Sequence, residues 1–123
     1  MTIISHSQGT VIAARALQRL TPDPSYAKNM LFITMGSPIW HLYAQYFPQN
    51  YPVSTFAHIP DLKWHNIYRP DDFVGKDIVF PDGVDGHNHR VGKGGHSHYF
   101  SDIEVWQVFW GKTGFRMFTN PES

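Results

Sequence analysis

Apolar positions along the chain alternate between short continuous runs and helically spaced stripes. Ile3 and Ile4 belong to a short apolar run over 1–5, which predicts the end of a buried parallel strand. Val11, Ile12, Ala14, Leu17 and Leu20 then recur at helical spacing and predict a helix over 8–20, stopped by Pro22 and Pro24. Met30-Leu31-Phe32-Ile33-Thr34-Met35 is apolar throughout and ends at Gly36-Ser37-Pro38, the pattern of a strand buried on both faces of a parallel sheet. Residues 39–47 predict a short helix stopped by Pro48, and the aromatic stretch from there to Ile59 predicts irregular chain. Residues 64–69 alternate as a strand does, and the glycine-rich span 76–95 holds one polar edge strand over 84–91. Residues 101–110 predict a closing helix packed deeply on the sheet, entered through a Ser101/Glu104 capping box and ended by Gly111. Residues 120–123 predict a frayed end.

This order of elements predicts an α/β chain with three to four mainly parallel strands and flanking helices. Without repeats, low-complexity tracts or a linker, residues 1–123 read as a single domain. At 41% hydrophobic and 15% aromatic residues, the chain has the material for a real core and lacks the composition of disorder. A net charge of zero leaves no basic stripe, so a nucleic-acid partner is not expected. The chain has no cysteine, which excludes disulfides and thiolate metal sites. No stretch is long and apolar enough to cross a bilayer, and no signal-peptide pattern opens the sequence.

The chemistry concentrates at Ser5-His6-Ser7-Gln8-Gly9. An apolar run meets small-x-Ser-x-Gly, and a helix-patterned segment follows at once. A strand that turns sharply into a helix on a serine exposes the hydroxyl on a strained tip. Small residues two before and two after the serine avoid a collision with the neighbouring strand and helix. The N–H of Gln8, at the helix N-terminus, becomes a candidate oxyanion donor.

Ser-His-Ser-Gln-Gly resembles the nucleophile elbow of the α/β-hydrolase superfamily, particularly its lipase- and esterase-like members, with Ser5 standing where glycine is usual. The resemblance runs from Ile3 to about Trp110. It is strongest at the elbow and at Gly95-His96-Ser97-His98-Tyr99-Phe100, and weakest over 39–62. It implies that the chain is a partial α/β-hydrolase fold. In that superfamily the elbow follows the fifth of eight strands, whereas six residues precede Ser7 here. The implied chain is the C-terminal half of the fold. It lacks the upstream loop that carries the second oxyanion donor, which puts the activity of the chain alone in doubt.

The resemblance also implies roles. Ser7 is the nucleophile, and Asp72 of Asp72-Phe73-Val74 is the acid, with Asp71 as the alternate. His96 is the base, selected by the spacing to Tyr99, with His98 as the alternate. Serine, acid, histidine is the chain order this superfamily uses. The implied reaction is hydrolysis of a carboxylic ester, lipid esters included, through an acyl-enzyme. It needs no metal and no organic cofactor, and its partner is a small ester or lipid substrate. Trp40, Tyr43 and Phe47 stand as candidates for an apolar wall around the acyl group, against ordinary packing of loop on core. The acidic pair has a local alternative too, as hydrogen-bond acceptors in a Pro70-Asp71-Asp72 turn.

Two readings of another class remain open. His87-Asn88-His89 and His96-Ser97-His98 are His-x-His pairs near Asp82 and Asp85, and on a strand such pairs share one face, a geometry suited to a divalent metal. A noncatalytic half-fold is the other. Its exposed edge at 1–5 would be covered by a missing N-terminal half or a second copy. His6 occupies a permissive position, and His41, His58 and His65 fall in no motif.

Overall fold

A computed structural model describes residues 1–19, 30–50, 59 and 61–113. Four strands, β1 (Thr2–His6), β2 (Leu31–Met35), β3 (Lys63–Tyr68) and β4 (Asp85–Arg90), form one sheet in the order β1-β2-β3-β4. Every pairing is parallel, with Ile4 opposite Ile33, Ile33 opposite His65 and His65 opposite His87. Helix α1 (Gln8–Arg19) follows β1, and helix α2 (Ile103–Lys112) closes the described chain. The chain is therefore α/β, with an all-parallel sheet and flanking helices.

Alternation along the strands splits the core into two clusters. Phe32 and Trp64 point to one face, where Val11, Ala14 and Leu17 of α1 meet them. Ile33 and Ile67 point to the other, where Val105 and Phe109 of α2 pack with Tyr99. Phe32 and Trp64 stack with ring centroids 5.1 Å apart. A polar ladder crosses the first face. Trp64 Nε1 donates to Thr34 Oγ1, Thr34 Oγ1 to Asn66 Oδ1, and Asn66 Nδ2 to Asn88 Oδ1. Asn88 also exchanges bonds with the backbone of Ile78, which pins the β3–β4 connection under the sheet.

Several expectations need correction. β1 is an edge strand, so Met1 and Ile4 are exposed rather than buried on both sides. Ile12, expected on the buried stripe of α1, is exposed, because the buried face is carried by Thr10, Val11, Ala14 and Leu17. The segment after Pro38 winds as a π-helix over Ile39–Ala44. The Pro38 carbonyl accepts from the N–H groups of both Leu42 and Tyr43, which widens the turn. α2 has no Ser101 capping box: Asp102 is its N-cap and accepts from Glu104 N at 2.9 Å, while Ser101 Oγ donates to His98 O. Gly111 lies inside the last turn of α2, and Thr113 is the C-cap. α2 buries a single stripe, leaving Ile103 and Trp110 exposed. Leu20, Pro22, Pro24, the aromatic residues Tyr51 and Phe56, and the end of the chain from 114 lie outside the described residues. Among the described residues, no helix is long and apolar enough to cross a membrane.

Candidate active site

Parallel pairing puts the carboxyl ends of all four strands at one edge of the sheet, where ligands of open α/β sheets bind. Ser7 follows β1, Asp72 lies in the loop after β3, and His96 lies in the loop after β4. Three residues distant in sequence thus meet at that edge.

Ser7 has φ 55°, the left-handed region that non-glycine residues rarely occupy. The turn is held from both sides. Ser7 N donates to Met35 O at 3.0 Å, and the Ser7 carbonyl accepts from Thr10 N and from Thr10 Oγ1. The Ile39 N–H donates to Ser37 Oγ, the Ser37 hydroxyl to Thr10 Oγ1, and the Thr10 hydroxyl to Ser7 O. This chain ties the elbow to the loop after β2. Ser5 Oγ adds a bond to Ile33 O across the strand pair. The steric demand expected at Gly9 is not found among the described residues, since a Cβ there meets nothing within 4 Å.

Ser7 Oγ lies 2.6 Å from His96 Nε2, and His96 Nδ1 lies 2.9 Å from Asp72 Oδ2 and 3.0 Å from Oδ1. A carboxylate at Nδ1 keeps the ring proton there and leaves Nε2 to accept the Ser7 proton. The Asp72 carboxyl is fully buried, and the His96 side chain retains 29% exposure, which leaves the imidazole open to solvent. Asp72 Oδ1 accepts from the N–H groups of Val74 and Gly75, and Oδ2 from the Tyr99 hydroxyl at 2.8 Å. Burial pushes this carboxyl up, but the Gly75 N–H, the His96 ring, the Tyr99 hydroxyl and the Val74 N–H outweigh it and hold it below the ordinary aspartate value. Tyr99 is shifted the other way: burial, then the bond to Asp72 and its charge, raise the phenol well above its usual range.

Gly36 closes the site from below. Its φ is +59°, and a Cβ there would lie 2.9 Å from the Tyr99 ring, 3.2 Å from Asp72 Oδ2 and 3.3 Å from His96 Nδ1. The loop after β2 can pass under the histidine and the acid only as glycine.

The alternates take other places. Asp71 accepts from the N–H groups of Gly94 and Gly95 and so anchors the loop that carries His96. His98 is exposed, and its carbonyl accepts from Arg69. Of the proposed apolar wall, Tyr43 reaches the elbow, where its hydroxyl accepts from the Gln8 side chain at 3.4 Å. Trp40 packs on the core beside α1, and Phe47 is exposed with its ring against Tyr43. The Gln8 N–H opens α1 and belongs to the first turn, whose N–H groups have no intrahelical acceptor.

Two residues that position His96 had no sequence signal. His6 Nε2 donates to the His96 carbonyl at 3.0 Å, and its ring stacks on that of His96 at 5.2 Å. Buried Arg69 donates to the carbonyls of Gly95 and His98, pairs with Asp102, and lies 4.7 Å from the centre of the Tyr99 ring. One guanidinium thereby fixes both ends of the histidine loop and the start of α2.

The two His-x-His pairs differ: His87 and His89 share one face of β4, with ring centroids 6.4 Å apart, whereas His96 and His98 part. His96 faces Ser7 while His98 is exposed, and His87 and His89 stack with His65 on β3, the last two bonded at 2.8 Å. Among the described residues, no group of three or more His, Asp or Glu is placed to hold a metal ion. Comparison with protein-family models, with curated proteins and with solved structures yields no match.

Proposed function

We propose that this chain carries the catalytic machinery of an α/β-hydrolase-type serine hydrolase acting on carboxylic esters. The observation that carries the reading is the continuous relay from Ser7 Oγ through His96 to buried Asp72, launched from a serine with positive φ. A free serine hydroxyl is a poor nucleophile near neutral pH, and a hydrogen-bonded base removes that obstacle.

The steps follow from the geometry. Ser7 Oγ attacks the ester carbonyl carbon as its proton passes to His96 Nε2. The carbonyl oxygen gains the negative charge and faces the Gln8 N–H. Asp72 stabilises the imidazolium without taking its proton. Collapse breaks the ester C–O bond, and the alcohol leaves with the proton from His96. A water molecule then attacks the acyl-Ser7 carbonyl, giving its proton to His96. The carboxylic acid departs as that proton returns to Ser7 Oγ. Each step uses groups of this chain, substrate and water.

Hydrolysis of p-nitrophenyl acetate and butyrate by the chain and by Ser7→Ala tests this reading. The expected result is turnover that falls at least about 10³-fold in the variant, as loss of a triad member does. Equal rates in the two proteins would contradict it. The exposed edge at β1, with Met1 and Ile4 on the surface, supports a covering chain beside the sheet, either a second copy or the rest of a longer fold. Light scattering that gives a monomer would exclude the second copy.

A further inference from the structure

His65, His87 and His89 lie on the face of the sheet that α2 covers, at the edge away from β1. The His65 ring stacks on His87 at 5.0 Å and on His89 at 5.1 Å. His65 Nδ1 and His89 Nε2 are hydrogen-bonded at 2.8 Å. Between two ring nitrogens one donates and the other accepts, so the bond requires a neutral acceptor ring. Protons on both atoms break it and set two cations side by side. The charged groups around the stack are Lys63 on β3, Asp85 on β4 and Lys112 on α2. Asp85 is already bonded to His87 Nε2 at 2.7 Å, and the two lysines add to the repulsion.

Strand β4 has little else to hold it. Its residues, Asp85-Gly86-His87-Asn88-His89-Arg90, belong to neither core cluster, and it is an edge of the sheet, paired with β3. Ladder bonds, the Asn88 side chain and the His65–His89 bond fasten it. An element with few buried apolar contacts opens at a lower free energy than the core it borders.

We propose that the His65–His87–His89 stack is an acid-triggered latch on β4: protonation of its rings parts β4 from β3 and loosens the loop that carries His96, while the rest of the fold stays closed. The release of β4 stands on its own geometry, and its consequence for Ser7 rests on the hydrolase reading, as a regulation of that site. The link is short. His96 lies six residues beyond Arg90, and the ladder runs on past β4 through Val91 N to Tyr68 O at 2.9 Å. A relay whose members sit 2.6 and 2.9 Å apart tolerates little displacement, since about 1 Å costs roughly 10²-fold in rate. Asp71 holds Gly94 and Gly95, and Arg69 holds Gly95 and His98, so the freed segment stays beside the site and closes again when the pH rises.

Burial, then His89 and His87, lower His65 to about 4, and burial lowers His89 as well. The closed strand is therefore favoured above the ordinary histidine value near 6.5 and loses that advantage as pH falls toward the folded value. If opening restores the ordinary value to His65, the ratio of open to closed strand rises about 50- to 100-fold between about pH 7 and about pH 4.5.

Hydrogen exchange read by mass spectrometry, corrected for the intrinsic pH dependence of amide exchange, tests this on the full chain. Peptides covering 85–91 should lose about 50- to 100-fold in protection over that interval, while peptides covering 30–35 keep theirs. His65→Leu/His89→Leu should keep 85–91 protected throughout. His65→Gln, which leaves His89 a neutral hydrogen-bonding partner, should cut the loss below about tenfold and decides the matter if the Leu pair fails to fold. Unchanged protection of 85–91 in the unaltered chain, a simultaneous loss over 30–35, or an undiminished loss in the variants would overturn the proposal. Fluorophosphonate labelling of Ser7 should lose reactivity at lower pH in the variants than in the unaltered chain, and an identical acidic limb would overturn the link to His96. Absence of labelling at neutral pH would instead sink the hydrolase reading, while exchange over 85–91 still decides the latch.

Discussion

The Tyr99 hydroxyl donates to Asp72 Oδ2 at 2.8 Å, the same oxygen that accepts from His96 Nδ1 at 2.9 Å. One carboxylate oxygen is thus shared between the His96 ring and a fully buried phenol. The phenol is pushed above its ordinary value by burial and by Asp72, so it stays a donor across the working pH range. Tyr99→Phe removes that donor and raises the acid's pKa. The expected outcome is a loss of about 1–3 kcal/mol in urea unfolding and an acidic limb of activity moved to higher pH. An unmoved limb would mean that Tyr99 only fills space.

Asp71 and Asp72 should separate cleanly by substitution. Asp72→Asn removes the charge that sets the His96 tautomer, and hydrolysis should fall about 10³- to 10⁴-fold with the fold intact. Asp71→Asn loosens the anchor on Gly94 and Gly95 but leaves the relay, so the drop should be below about tenfold. Kinetics on the two variants, with circular dichroism as a control, checks this.

Gly36→Ala should be among the most damaging conservative changes. The new Cβ would meet the Tyr99 ring at 2.9 Å from a backbone at φ +59°, where side chains are strained. A loss of about 2 kcal/mol or more is expected, together with weaker reactivity at Ser7, because the crowded groups include Asp72 and His96. Gly83→Ala, also at positive φ but with open space, should lose only the backbone part of that penalty.

The stacked histidines predict an acid-sensitive fold. Burial, then the neighbouring His89 and His87, lower His65 to about 4, against the favourable charge of Asp85 and with a small further push from Lys63. His89 is lowered by burial first, then by His87 and Lys112. A histidine depressed in the folded state stabilises the fold above the unfolded value near 6.5, and that stability is lost as pH falls toward the folded value. For His65 the loss is about 3 kcal/mol between pH 6.5 and 4. Unfolding free energies measured across that window should fall with pH, and His65→Leu should flatten the slope.

The elbow was legible because strand, serine and helix are contiguous, so a local pattern encodes it. Strand β4 was legible as a polar edge for the same reason. Asp72 stands ahead of Asp71 only through the resemblance of Asp72-Phe73-Val74, since neighbours in one turn are otherwise alike and differ only in which loop they face across space. The spacing of His96 to Tyr99 has a geometric counterpart: the Tyr99 hydroxyl and the His96 ring meet the same oxygen of Asp72. His6 and Arg69 act through carbonyls of a distant loop, a role with no local signature. Ile12 and Trp110 are exposed despite their spacing, because apolar spacing marks a helix without saying how wide its buried face will be. The π-turn at Pro38 depends on one carbonyl taking two donors, which composition does not reveal.

The most direct test of the central claim is reaction with a fluorophosphonate probe, mapped by peptide mass, in the chain and in its Ser7→Ala and His96→Ala variants. The account predicts labelling at Ser7 that vanishes in the first variant and slows by about 10³-fold or more in the second. Folded protein that stays unlabelled, or that is labelled at another residue with Ser7 untouched, would contradict it.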